Sequence, residues 1–151
     1  MSEQAPVQRD GPGLPYLHRI ISGEIPGVPM GRTLGFRLTQ ATTGEVVVTG
    51  TPSAPGYNIL GSMHGGWAAA LLDTAMALAC LSTLDEKQAY TTLDIRINYL
   101  RPITLDTGEV RAIGKVLQSG RRLAYCEARL ENAAGKLLVH GTGSCLIFPK
   151  E

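Results

Sequence analysis

The sequence predicts an α+β domain in which an antiparallel sheet wraps around one long helix, and three observations carry that prediction. One apolar helical run, residues 65–84, is much longer than any other. Beyond it the hydrophobic period changes from helical to two-residue alternation and stays so to the C-terminus. The later strands are joined by Ser119-Gly120 and by Asn132 to Gly135, turn-forming sequences too short for a crossover, so consecutive strands are antiparallel neighbours. With one long helix available, the sheet buries one face on it, and the other face meets solvent or a partner. At 151 residues the chain reads as one domain, 14–151, behind a polar, Pro/Gly-containing lead-in, 1–13, expected to be disordered.

Taken in order, Leu14 to Ser22 has apolar residues at helical spacing (Leu14, Leu17, Ile20, Ile21), with Gly23 to end it. His18 on this segment reads as a surface or capping residue. Pro26 to Gly31 is a connector. Thr33–Ala41 and Glu45–Thr51 are extended runs around Thr42-Thr43-Gly44, a hairpin. Pro52 to Pro55 breaks the second run and opens a loop toward Asn58. After the long helix come four strands: 89–100, 107–118, 121–131 and 136–148. The first alternates Leu93, Ile95, Ile97 and Tyr99 against Thr92, Asp94, Arg96 and Asn98, which places Thr92 away from the apolar face.

Composition excludes several classes of function. The net charge is +1 with acids and bases interspersed, so no basic footprint for nucleic acid or an anionic membrane is present. No apolar run approaches the roughly 20 residues of a membrane span, and the N-terminus lacks the apolar core of a signal peptide. Cys80, Cys126 and Cys145 stand far apart in apolar surroundings, the pattern of buried, reduced thiols rather than of disulfides or a metal site. A cytoplasmic protein is expected.

The chemistry concentrates between Asn58 and Asp73. A loop runs through His64-Gly65-Gly66 straight into the long helix, and Asp73 is the one charge in the run Ala68–Ala79. On the helix, Trp67, Leu71, Leu78 and Leu81 form a core stripe. Asp73 shares another stripe with Gly66, Ala69, Ala70 and Ala77, small residues that leave room for a ligand or for a close backbone. Asp73 reads either as a solvent-facing helical acid or as a functional carboxylate. Its apolar neighbourhood favours the second. Gly65 and Gly66 bare the first free N–H groups of the helix, donors suited to an oxyanion or a polarised carbonyl. His-Gly-Gly also reads as a tight loop-to-helix turn, and His64 as a structural histidine.

Together, Asn58, His64-Gly65-Gly66 and Asp73, with the strand Thr92 to Tyr99, Pro102 and the Gly120-Arg121 turn, resemble the hotdog-fold acyl-CoA thioesterases of the PaaI type. They also resemble the related 4-hydroxybenzoyl-CoA thioesterases. The resemblance spans residues 14–148. It implies a hotdog fold, protomers joined edge to edge as a homodimer or a dimer of dimers, and active sites shared across that interface. It implies further that the Gly65 N–H polarises the thioester carbonyl. The partner subunit's Asp73 would then attack the carbonyl or activate water, Asn58 would orient that water or the carboxylate, and His64 would shape the loop. Thr92 matches a position where some relatives carry a hydroxyl that assists water.

No metal or organic cofactor is implied, since coenzyme A belongs to the substrate. For its phosphates the candidates are Arg121 and Arg122, then Arg101 and Lys115, each of which also reads as ordinary surface charge. Tyr57, Leu60, Met63 and Trp67 are expected at the acyl pocket. The alternatives are a non-catalytic acyl-CoA-binding module and a hotdog-fold hydratase or dehydratase. Nine residues separate His64 from Asp73, about 13 Å of helix, so the stretch reads as two half-sites, each completed by a second chain.

Overall fold

The structure, a computed structural model, describes residues 8–151. Residues 1–7 of the expected lead-in lie outside the described residues. Near the start of what is described, Arg9 donates to the carbonyls of Gly11 and Asp85 at 2.9 Å and to that of Gln88, and Lys150 donates to the Arg9 carbonyl.

Helix α1 (Gly13–Ile21) leads into a short α2 (Pro29–Leu34) and the hairpin β1 (Phe36–Thr42) and β2 (Glu45–Gly50). The long α3 (Gly65–Leu81) follows. Then come β3 (Gln88–Tyr99), β4 (Val110–Ser119), β5 (Leu123–Asn132) and β6 (Leu137–Pro149). The six strands form one antiparallel sheet in the order β1-β2-β4-β5-β6-β3. Every strand of the sheet touches α3, so the wrapped arrangement expected from the sequence is the one observed.

Of the element boundaries that differ from expectation, two have clear local reasons. The segment 26–31 is no plain connector, because α2 begins at Pro29 and ends on Gly35 in the left-handed conformation, φ 74°. Proline at a helix start and glycine just past its end are favourable signals, here framing six residues. Helix α3 stops at Leu81 and not at 84. Ser82 and Thr83 turn their hydroxyls back onto the carbonyls of Ala79 and Cys80, at 2.6 and 2.7 Å, and Ser82 also accepts from the Gly44 N–H. Those side-chain bonds replace the ones a further helical turn would make.

Helix α3 is buried on most of its circumference, from Trp67 and Ala68 through Leu71, Leu72, Ala75, Met76, Leu78, Ala79, Cys80 and Leu81. The remaining stripe of Ala69, Ala70, Asp73 and Ala77 is half-buried. The sheet reaches α3 closely at Gly114 on β4, where a Cβ would sit 2.2 Å from the Ala75 carbonyl oxygen. The obstacle is helix backbone, which cannot swing aside. Gly114→Ala is therefore expected to destabilise the fold by about 3 kcal/mol, read as a lowered midpoint in urea. Gly120→Ala, where the nearest such atom is 3.6 Å away, is the near-neutral control.

The three cysteines, remote in sequence, meet in the core between α3, β5 and β6, all buried and free. Hydrogen bonding to Cys145, then burial, push the Cys80 and Cys126 thiols up. Among the described residues, no helix is long and apolar enough to cross a membrane, and no cluster of His, Cys, Asp or Glu could hold a metal ion.

Candidate active site

The loop before α3 is built by its own side chains. Asn58 Oδ1 accepts from the N–H groups of Leu60 (2.8 Å) and Ser62 (3.3 Å), and its Nδ2 donates to Ser62 Oγ at 3.1 Å. Gly61, at φ 85°, makes the turn this closure needs. Backbone bonds from Met63 N–H to the Ile103 carbonyl and from His64 N–H to the Gly56 carbonyl, each 2.8 Å, seat the loop. Asn58 thus reaches the site wall, yet its amide is committed to its own loop.

His64 is the N-cap of α3, and its Nδ1 accepts from the Gly66 N–H at 2.9 Å. That nitrogen must be unprotonated to accept, so the ring proton sits on Nε2. Trp67 N–H is satisfied by the His64 carbonyl. Of the first amides of the helix, the Gly65 N–H meets no acceptor among the described residues. Gly65 lines a cavity of about 350 Å³ together with Asn58, Met63, Ala68, Tyr99 and Arg101, among others. A helix N-terminus with a free amide and a positive dipole end favours negative charge on an oxygen placed there.

Asp73 lies two turns farther along α3, half-buried, with Thr92 Oγ1 donating to its Oδ1 at 2.9 Å. The alternation on β3 had placed Thr92 on the opposite side, and a bulge corrects it. Between Thr92 and Asp94 the register against β6 slips by one residue, with Thr92 opposite Cys145 and Asp94 opposite Ser144. The extra residue reverses the parity of what precedes it. Thr92 therefore faces α3, while Asp94 accepts from the Ser144 N–H and hydroxyl at 2.9 and 2.5 Å. Tyr90 packs against the core on the same side, and its hydroxyl is pushed up, mainly by burial, with the Asp73 charge among the smaller causes.

The distribution of the other candidates is uneven. Arg101 lines the cavity and donates to the Leu137 carbonyl at 2.7 Å. Arg121 and Arg122 line a second cavity of about 520 Å³ with Lys87, Gln88, Leu146 and Phe148. Lys115 lines neither and lies 3.7 Å from Glu45 on the exposed sheet. Of the four residues expected at an acyl pocket, Met63 lines the first cavity. Trp67 is core, its Nε1 donating to the Leu34 carbonyl at 2.8 Å, and Tyr57 accepts from the Leu105 N–H through its hydroxyl. Leu60 is 86 % exposed.

Two features escaped the sequence reading: the Thr92–Asp73 bond, hidden by the bulge, and the Tyr99 hydroxyl, which donates to the Gly65 carbonyl at 2.7 Å. A tyrosine at the end of an inward-facing alternation was the available sign of the second.

Comparison with known proteins identifies the family and the fold. The family model of the thioesterase superfamily matches residues 60–139, from the loop through α3 to β6. Human acyl-coenzyme A thioesterase 13 is 31 % identical over 112 residues, 73 % of this chain and 79 % of that protein. A conserved protein from Pseudomonas aeruginosa superposes with a TM-score of 0.75 at 32 % identity, over 80 % of this chain and 94 % of that one. A point mutant of the phenylacetic acid degradation protein PaaI from Thermus thermophilus superposes with a TM-score of 0.72 at 30 % identity, over 79 % and 98 %. The sheet wrapped on α3 is the hotdog fold, and the chain belongs to the thioesterase superfamily as a PaaI-type member.

Proposed function

We propose that this protein hydrolyses an acyl- or aroyl-CoA thioester to the free acid and CoA. The observation that carries the reading is the pairing of a free helix-start amide at Gly65, a residue that lines the first cavity, with a half-buried carboxylate, Asp73, held in place by Thr92. The name of the human relative, an acyl-coenzyme A thioesterase, supports the same substrate class.

In the reaction proposed, Asp73 takes a proton from water as the water oxygen bonds to the thioester carbon. The carbonyl pair moves onto oxygen and is held by the Gly65 N–H. The tetrahedral intermediate then collapses, the C–S bond breaks, and the departing CoA sulfur takes the proton held by Asp73, which restores the carboxylate. In the nucleophilic variant, the Asp73 oxygen itself bonds to the carbon, the thiolate leaves first, and water then cleaves the mixed anhydride. A thioester is already activated, so a carboxylate and an oriented amide suffice without a metal or organic cofactor. Asn58 and His64 build the loop that presents Gly65.

Gly65 and Asp73 are about 12 Å apart along one helix, beyond joint reach of a single carbonyl. The reading therefore places two protomers edge to edge at β3, with the partner subunit's Asp73 completing the site. Arg121, Arg122 and Lys87 are proposed for the phosphates of CoA. Gln88, in their cavity, is four residues from Thr92 on β3, about 13 Å, a span an extended pantetheine arm can cover.

The test is thiol release from a panel of acyl- and aroyl-CoAs, with binding measured alongside. Turnover is expected. Tight binding without thiol release would indicate a binding module, and water addition to an enoyl-CoA a hydratase; either result overturns the proposal. Thr92→Val, which deletes the hydroxyl on Asp73 and keeps the shape, is expected to lower kcat by about tenfold.

A further inference from the structure

One peptide unit of the site, that between Gly65 and Gly66, is held at both ends. Its carbonyl accepts from the Tyr99 hydroxyl at 2.7 Å, and its N–H donates to His64 Nδ1 at 2.9 Å. The two bonds run in series from hydroxyl through peptide to imidazole, an arrangement in which each polarises the next. Two glycines without such a clamp would have wide freedom of φ at the point where the adjoining Gly65 N–H must keep one direction.

The Tyr99 side chain also sets what can stand there. A Cβ at position 65 would lie 3.0 Å from Tyr99 Cζ and its hydroxyl oxygen, so the ring packs directly on the glycine. Tyr99 ends β3 and lines the same cavity as Gly65.

We infer that Tyr99 is a positioning residue whose hydroxyl, acting through the Gly65 carbonyl, holds the Gly65 N–H at the angle an oxyanion requires. The inference rests on the proposed hydrolase reading. Tyr99 does not touch substrate in this role. It fixes the first turn of α3 from the side opposite His64, so that the amide is oriented before the carbonyl becomes charged. A tyrosine hydroxyl is protonated at neutral pH and so serves as a donor, and partial desolvation pushes Tyr99 further in that direction.

The experiment compares wild type, Tyr99→Phe and Tyr99→Leu in steady-state acyl-CoA hydrolysis, with thermal melts and ¹⁵N spectra of the histidine side chains. Tyr99→Phe retains the ring against Gly65 and loses the hydroxyl alone. A fall in kcat of about tenfold or more is expected, with KM changed less than about twofold, because the amide matters most when charge develops on oxygen. The melting temperature should stay near that of wild type while the His64 Nδ1 resonance moves. Tyr99→Phe turning over as fast as wild type, with Tyr99→Leu slow, would leave a packing role alone and overturn this inference while the hydrolase reading stands. A wild type that releases no thiol from any thioester overturns both.

Discussion

Asp73→Asn is expected to lower kcat for acyl-CoA hydrolysis by about a thousandfold, with KM changed less than about threefold. Asparagine keeps the volume, and its amide oxygen can still accept from Thr92, as Asp73 Oδ1 does at 2.9 Å. The half-buried stripe with Ala69, Ala70 and Ala77 therefore stays as it is. What disappears is the capacity to take a proton from water or to attack carbon. Binding of acyl-CoA, measured by calorimetry on the variant, should persist. Turnover by Asp73→Asn within tenfold of wild type would sink the mechanism, whichever role the carboxylate plays. A single turnover in H₂¹⁸O identifies the nucleophilic role if the label appears on the protein. A nucleophilic Asp73 acquires ¹⁸O on its own side chain when water opens the anhydride at the aspartyl carbon, whereas attack at the acyl carbon, or a general base, sends all of it to the product acid.

The parts of the fold legible in the sequence are those where one local rule acts alone. The apolar run that became α3 and the alternating runs that became the strands needed only periodicity, and Ser119-Gly120 and Asn132 to Gly135 needed only turn chemistry. The helix end at Leu81 required knowing that Ser82 would be claimed by Ala79 and Gly44, contacts distant in sequence or decided by packing. Thr92 shows the limit most clearly. Alternation is a sound rule within an unbroken strand, and a single extra residue at the bulge inverts it without leaving a mark in the residue pattern. The site divides in the same way. Gly65 and Asp73 were visible as an amide-bearing start and a lone charge in an apolar helix. The clamp from Tyr99 and the self-closure of Asn58 were not, because hydroxyl and amide partners are chosen in three dimensions. The cysteines, distant along the chain, meet in the core for the same reason.

A mixture of two inactive variants should recover activity. Gly65→Pro deletes one N–H with a backbone the site accepts, since proline suits the first position of a helix and His64, at ψ 136°, already has the extended conformation that precedes a proline. Some movement of the Tyr99 ring, 3.0 Å from a Cβ at this position, must accompany it. Alone, Gly65→Pro is expected to lose about a hundredfold or more in kcat, the scale of a missing oxyanion donor. Unfolded together with Asp73→Asn in equal amounts and refolded, the two chains pair at random. If a site takes its amide from one protomer and its acid from the other, each mixed dimer holds one intact site and one doubly defective site, and the mixture reaches about a quarter of wild-type activity. The geometry favours this outcome. Asp73 is tied to Thr92 on β3, Gly65 lies two helical turns away, and among the described residues β3 is an edge strand, with Leu93 and Ile95 exposed on it. A site contained in one chain predicts otherwise, because every chain in the mixture then carries a defect, and activity no higher than the parents' average would show that the two ends do not meet across protomers.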